Sequence, residues 1–453
     1  MRHHWLWIQA HDLLNELAQL AEEGRDVPPE LERRTRELAA RGDEHLATPE
    51  GQQQAGALLD ETIALPTRHG YPFVEPSDLE GIRAQRAGSV SLPSAWLDSA
   101  TLRDKIHGAW LGRAYGCYLG KPVEGLRRMP GDTYILESFL KETGQWPLRG
   151  YFSLDCPDDI LSRYNLRKGW KAGPPFMPED DDTNYTIAAF ALMEQKGREF
   201  SPKDAATFWM QNIPILRTCT AERVAYRNFC INIEPPASAA YRNVYREWIG
   251  AQIRADFFGY AAPGDPELAA EYAWRDACIS HVKNGIYGEM WAAAMLAAAH
   301  VTTDIERIIR AGLAQVPAKS RFSAAINDVL EWRAAGRSYE EAVLAIHERW
   351  DEKDSHHWCH TISNAQICAA ALLWSEGDYA TAISHAVLPG FDTDCNGATV
   401  GSVMGMILGA AGLPNDLVGR LNDSIRSGVQ GYHHSSIKEI AAKMAVLVER
   451  FST

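Results

Sequence analysis

Two stretches of this sequence carry glycine at every fourth position: Gly108, Gly112, Gly116 and Gly120, then Gly397, Gly401, Gly405 and Gly409. Residues four apart lie on one face of an α-helix. Each glycine costs up to about 1 kcal/mol relative to alanine inside a helix, so a helix carrying several of them needs compensation. Very close approach of another backbone along the bare face supplies it. A Gly-x-x-x-Gly face also serves membrane helix pairs. However, Gly397–Gly412 is too short to span a bilayer, and Arg113 interrupts the first stretch. The pattern therefore predicts two buried, tightly packed central helices.

The rest of the chain agrees with a helix-on-helix core. Leu13, Leu14, Leu17, Leu20 and Ala21 fall on one helical face. Pro28-Pro29 opens a second helix to about Arg41, and Pro49 to Ile63 reads as a third. Leu65 to Ser94 carries Pro66, Pro72, Pro76 and Pro93, which marks a linker or extended arm. From Thr101 onward helical apolar patterns dominate, Met290–Ala299 and Ala365–Leu373 are rich in alanine, and strand-helix alternation is absent. The expectation is an all-α fold with residues 1–95 as a helical extension and linker, used for packing or oligomer contacts, and 96–453 as the main domain.

The net charge of −14 over 453 residues disfavours nucleic acid and anionic membranes as partners and suits cations. No apolar run is long enough for a membrane span, and the N-terminus lacks the h-region of a secretory signal. The eight cysteines are scattered, with no Cys-x-x-Cys pair. That usage predicts buried thiols in a reducing, cytoplasmic setting.

Two acidic constellations carry the chemistry. Glu179-Asp180-Asp181-Asp182-Thr183 precedes a good helical run ending near Gly197. One aspartate would cap that helix; three in a row repel one another unless water or a cation screens them. Asp392-Thr393-Asp394-Cys395-Asn396 stands before the second glycine helix, and Gly397 to Gly412 contains no ionisable group. Its N-terminus therefore lies deep in the domain, where unpartnered carboxylates are very costly. A divalent cation removes that cost, and hard oxygen ligands suit Mg²⁺, Mn²⁺ or Ca²⁺. Two clusters are enough to hold two ions.

Three segments resemble the ADP-ribosylglycohydrolase family, which includes the dinitrogenase reductase-activating glycohydrolases. They are the run from Gly108 through Gly120-Lys121-Pro122-Val123-Glu124, then Asp180-Asp181-Asp182-Thr183, then Gly390-Phe391-Asp392-Thr393-Asp394-Cys395 with the glycine helix after it. The resemblance spans roughly residues 101–450. It implies an orthogonal multi-helix bundle with a binuclear, usually magnesium, site that cleaves the bond from the ribose anomeric carbon of ADP-ribose. Asp181, Asp182, Asp392 and Asp394 match the metal-binding aspartates. Asp180 and Cys395 stand where the family has Thr or Ser, and Cys117 stands where it has Asp. Metal ligands are therefore expected at Asp180, Asp181, Asp182, Asp392, Asp394 and Cys395, for two Mg²⁺ ions or Mn²⁺. Glu124, Asp182 and Asp392 are the expected catalytic residues, with either Glu124 or a metal-bound aspartate as general base.

His281 resembles the substrate-side histidine of the family, and Asn284, Tyr287 and Glu289 are expected to line the pocket. Typical members approach the diphosphate with a Gly-Asn-Gly loop; here only Gly250 remains in Trp248-Ile249-Gly250-Ala251-Gln252. The implied reaction is hydrolysis of an ADP-ribosyl bond through an oxocarbenium-like transition state. A smaller ribosyl or nucleoside-like N-glycoside is the alternative substrate. A metal-dependent ADP-ribose binder without turnover is the alternative of another class. His356 and His360, at i, i+4 spacing, read as surface or pocket-rim residues rather than a zinc pair, and Trp146, Trp170 and Trp209 read as core residues or as stacking platforms for a base.

Overall fold

The computed structural model of the chain describes residues 6–93, 97–126, 134–164, 166 and 173–451. The expected boundary at 95/96 and Trp170 lie outside these. The described residues form an all-α bundle. Their one sheet is a minimal antiparallel pair that sets Ile425 against Ser435 and Arg426 against His434. No helix among the described residues is long and apolar enough to cross a membrane.

The two glycine stretches form helices Ser99–Gly120 and Thr393–Leu408. They run antiparallel, with bare face on bare face. A Cβ built at Gly112 would fall on the Gly401 carbonyl, one at Gly116 on Gly397, and one at Gly120 on Thr393, each closer than the 3.0 Å that real Cβ atoms respect. The reciprocal holds from Gly397, Gly401 and Gly405 toward Gly116, Gly112 and Gly108. Close approach of backbone to backbone is thus the compensation for the glycines. Around this pair pack the Ala-rich helices Asn284–Ala299 and Thr361–Leu373, both buried along their whole length.

The N-terminal segment forms helices Ala10–Glu22, Pro29–Ala40 and Pro49–Ile63. Thr48 caps the last by accepting from Gly51 N at 3.0 Å, and Pro49 starts it where no N–H is needed. Leu13, Leu17 and Leu20 are buried, but Leu14 is 45% exposed; the stripe is narrower than the periodicity suggests. Residues 65–93 run mainly without helix or strand, except for one short helix, Leu79–Ala84. This arm lies along the bundle: Val74 N donates to Lys319 O at 2.9 Å, Trp274 Nε1 to Ser77 O at 2.9 Å, and Arg86 Nε to Gln315 O at 3.1 Å.

Candidate metal centre

The register of the glycine ladder decides what meets what. The first glycine helix ends at Gly120, where Thr393 Oγ1 donates to the Gly120 carbonyl at 2.9 Å. The 3-10 turn Lys121–Val123 and Glu124 follow directly, so they come to rest beside the loop that starts the second glycine helix. A third element arrives with helix Asp181–Lys196, whose cap Asp180 accepts from Asp182 N at 3.0 Å. Two helix N-termini therefore face the same point, and their partial positive charge favours carboxylates there. The 392 loop is held by Asn364, whose Oδ1 accepts from Asp392 N at 3.1 Å and from Asn396 Nδ2 at 2.8 Å. Just before it, the buried Phe391 is held at φ +58°, an uncommon conformation for a bulky residue.

Two overlapping groups of ligand atoms result. One comprises Cys117, Asp180, Asp182 and Asp394; the other Asp392, Asp394 and Cys395; within each group the ligand atoms lie within 4.8 Å of one another. All six residues are buried. Asp181 is half-buried beside them, and Glu124 is exposed. Two cations answer this charge. Lys121 pairs with Asp180. Arg113, wholly buried, lies 3.2 Å from Asp182 and 2.7 Å from Asp256. Asp182 Oδ2 is buried with no hydrogen-bond partner among the described residues.

The electrostatics record a surplus of negative charge. Burial and then Asp180 and Asp394 push the Asp181 carboxyl up to about 8. The Asp394 charge, with that of Asp180 beside it, pushes Glu124 up to about 9. Asp182 and Asp392 are raised by burial, against which Arg113 helps only Asp182. Burial would raise Asp180 too, but the Lys121 ammonium overrides it and holds that carboxyl below its ordinary value. Carboxylates crowded in this way, with one oxygen orphaned, fit a divalent cation.

Other expected residues lie apart from these clusters. A Cβ at Gly250 would fall on the Glu222 carboxylate. Glu222 bonds Arg254 at 2.7 Å, and Arg254 also pairs with Asp276 and Glu289 while its guanidinium lies 5.0 Å over the Trp209 ring. Glu289 is thus engaged in a buried charge cluster. His281 is fully buried, its Nδ1 sharing a hydrogen bond with Ser280 Oγ at 2.8 Å; burial, then Arg254, holds it well below its ordinary value. Asn284 donates to Glu75 at 3.0 Å and to Glu247 at 2.9 Å, and Tyr287 donates to the Pro76 carbonyl. Both are therefore occupied by the arm.

His356 and His360, expected at the surface or a pocket rim, are fully buried instead. The helix breaks between them, because His360 caps Thr361–Leu373 by accepting from Ile362 N at 3.1 Å. Trp209 is core, stacked on Tyr185. Trp146 lines an open cleft of about 350 Å³ with Tyr339, His385 and Arg149; a smaller cleft beside it, sharing Tyr134, Leu388 and Pro389, reaches Val123, Gly390 and Thr393. Sequence reasoning missed the roles of Arg113, Lys121 and Glu222, and noted Cys117 only as standing where the family has Asp. Their partners lie far away in the chain. The one signal for Arg113 and Lys121 was a charge on, or just after, an otherwise apolar glycine helix.

Residues 98–452 match the family model for ADP-ribosylglycohydrolase. A solved structure described as an ADP-ribosylglycohydrolase-related protein complex is similar, at 20% sequence identity and a TM-score of 0.49, over 78% of this chain and 100% of that chain. A sequence comparison with curated proteins finds no match. With the family model covering most of its length, and the acidic segments inside the match, the chain belongs to the ADP-ribosylglycohydrolase family.

Proposed function

We propose that the protein is a divalent-metal-dependent hydrolase that cleaves the glycosidic bond of an ADP-ribosylated substrate. The observation that carries this reading is the pair of ligand clusters sharing Asp394, built where the family's metal motifs fall. In this reading Asp180, Asp181, Asp182, Asp392, Asp394 and Cys395 hold two ions, Mg²⁺ or Mn²⁺. When bound, such ions supply positive charge that lowers the pKa of water and orders a ribose diol.

The chain's own groups do the rest. Lys121 and Arg113 hold Asp180 and Asp182 in place, and Asn364 fixes the backbone of Asp392. Glu124 is exposed and outside both ligand clusters; with cations offsetting the Asp394 and Asp180 charges that raise it, it would lose its own proton and be the group free to take one from the attacking water. Asp182 and Asp392 act by fixing the charge opposite the developing oxocarbenium ion.

One observation favours the smaller ribosyl substrate as a second reading. The stretch expected to approach a diphosphate has the Glu222 carboxylate packed against Gly250, and Arg254 is already committed to carboxylates. An anionic diphosphate gains little there. Mass spectrometry of products separates the readings. The protein with Mg²⁺ or Mn²⁺ is given ADP-ribosyl-arginine, ADP-ribosyl-serine and a panel of nucleosides. Release of ADP-ribose is the expected result, and cleavage of nucleosides alone establishes the second reading. Asp392→Asn is expected to keep the fold and lose at least roughly 100-fold in turnover, the upper end for residues that merely support a ligand. A fully active Asp392→Asn enzyme, or metal-dependent binding of ADP-ribose without any product, sinks the assignment.

A further inference from the structure

Five of the eight scattered cysteines converge on the carboxylate centre. Cys359 donates to Asp392 Oδ2 at 3.5 Å and Cys368 to Asn396 Oδ1 at 3.4 Å, and the Cys219 thiol feels the charge of Asp181. The remaining two go further. Cys117 Sγ sits among the oxygens of Asp180, Asp182 and Asp394, and Cys395 Sγ among those of Asp392 and Asp394. Each sulfur is thus a member of one ligand cluster, and Asp394 belongs to both.

The spacing is within the limit a coordination shell sets. With metal–ligand bonds of about 2.0–2.4 Å, two ligands on opposite sides of one ion stand about 4–5 Å apart and adjacent ones closer. Ligand atoms all within 4.8 Å of one another satisfy this limit. Asp182, a member of the cluster that holds Cys117, is fully buried and its Oδ2 has no hydrogen-bond partner among the described residues, so that residue offers an oxygen acceptor that the protein itself leaves unused. Both thiols are buried and neither is in a disulfide. Mg²⁺ avoids sulfur, whereas Mn²⁺, Fe²⁺, Co²⁺ and Zn²⁺ accept it increasingly well.

We propose that Cys117 and Cys395 are metal ligands, one in each cluster, and that they turn a carboxylate site into a mixed sulfur–oxygen site that prefers borderline divalent cations over Mg²⁺. This rests on the divalent-metal reading above and deepens it. Ligation takes the thiolate form, so each sulfur that binds releases its proton to solvent.

Cobalt tests it directly, because a thiolate on Co²⁺ gives an intense near-ultraviolet charge-transfer band and oxygen ligands do not. The metal-free full-length chain is titrated with Co²⁺, and bound cobalt is counted separately by elemental analysis. The expected band appears in the wild type, falls to roughly half in Cys117→Ser and in Cys395→Ser, and vanishes in the double variant while cobalt still binds. Cys359→Ser, a neighbour outside both clusters, keeps the full band, and an equal concentration of Mg²⁺ leaves it intact. Near-ultraviolet circular dichroism confirms that each variant is folded. Cobalt bound without the band, a band that survives in the double variant, or a band lost only in Cys359→Ser overturns the sulfur assignment and leaves the metal reading standing. No bound cobalt at all overturns the metal reading itself.

Discussion

Asp181 shows at the scale of one residue what the surplus charge does. Its carboxyl is pushed up to about 8 and that of Glu124 to about 9. In the folded, metal-free chain these groups keep protons that the unfolded chain gives up above about pH 4. The folded state then binds more protons, so its stability falls as pH rises from about 4 to about 9 and levels off beyond. In the proposed function, divalent ions bind the deprotonated carboxylates and so reverse that slope. Melting temperatures measured across this range, with chelator and with Mn²⁺, are expected to diverge as pH rises; parallel curves would contradict the account. Asp181→Asn carries the argument further. Removing one of the crowded charges is expected to stabilise the metal-free chain at high pH by on the order of 1 kcal/mol, allowing for solvent screening at a half-buried group. The same change should weaken the stabilisation by Mn²⁺. A residue that destabilises the empty fold and is needed for the filled one is the signature of a binding position.

At the scale of elements, the two glycine helices act as a ruler. Their register sets Gly120 against Thr393, and so sets Lys121 and Glu124 against Asp392 and Asp394. Gly116→Ala would place a methyl on the Gly397 carbonyl, and neither backbone can swing aside as a side chain can. The expected cost is about 1–3 kcal/mol, the range for overpacked cores, together with weaker metal binding because the ends of the ruler separate. Gly150→Ala meets only the flexible tip of Leu417 and is expected to stay near wild type. Denaturant melts and metal titrations of the two variants check the contrast. This pairing was legible in the sequence because glycine at every fourth helical position is costly unless a second backbone lies against it. The two aspartate motifs were legible because acids at the head of an apolar helix demand a partner. Lys121 pairing with Asp180, Cys117 joining the same cluster, and Glu222 filling the space at Gly250 were not. Each joins residues that are distant in sequence, and nothing local to either partner specifies the other. The burial of His356 and His360 was hidden for a related reason. Their surroundings come from the 246–249 segment and the N-terminal helix, through Trp248 Nε1 donating to His356 Nδ1 at 3.1 Å and Ser355 donating to Asn15 at 3.0 Å.

For the whole molecule, the decisive contacts run between the N-terminal segment and the bundle. Glu23, almost wholly buried just past the end of the first helix, meets Arg246 at 2.7 Å and Lys283 at 3.0 Å, and Glu16 meets Arg246 at 2.6 Å. Glu75 on the arm meets Arg321 at 2.8 Å, which in turn meets Glu247 at 2.7 Å. These are buried charges, and taking one partner from such a pair costs about 3–5 kcal/mol. The segment also braces the site. Helix Ser355–Cys359 is tied to Asn15 on one side, and its Cys359 donates to Asp392 on the other. We therefore expect a chain lacking residues 1–93 to lose far more than an appendage. Arg246 and Lys283 would lose the acids that neutralise them, and Ser355–Cys359 would lose its outer support. Glu23→Gln tests the same idea without removing any backbone. It is expected to lower stability by about 3–5 kcal/mol and to weaken metal binding, measured by denaturant melts and by metal titration. A truncated chain that melts like the full one and binds metal equally well would show that the buried charges are matched within the bundle alone, and that the segment serves something other than the site.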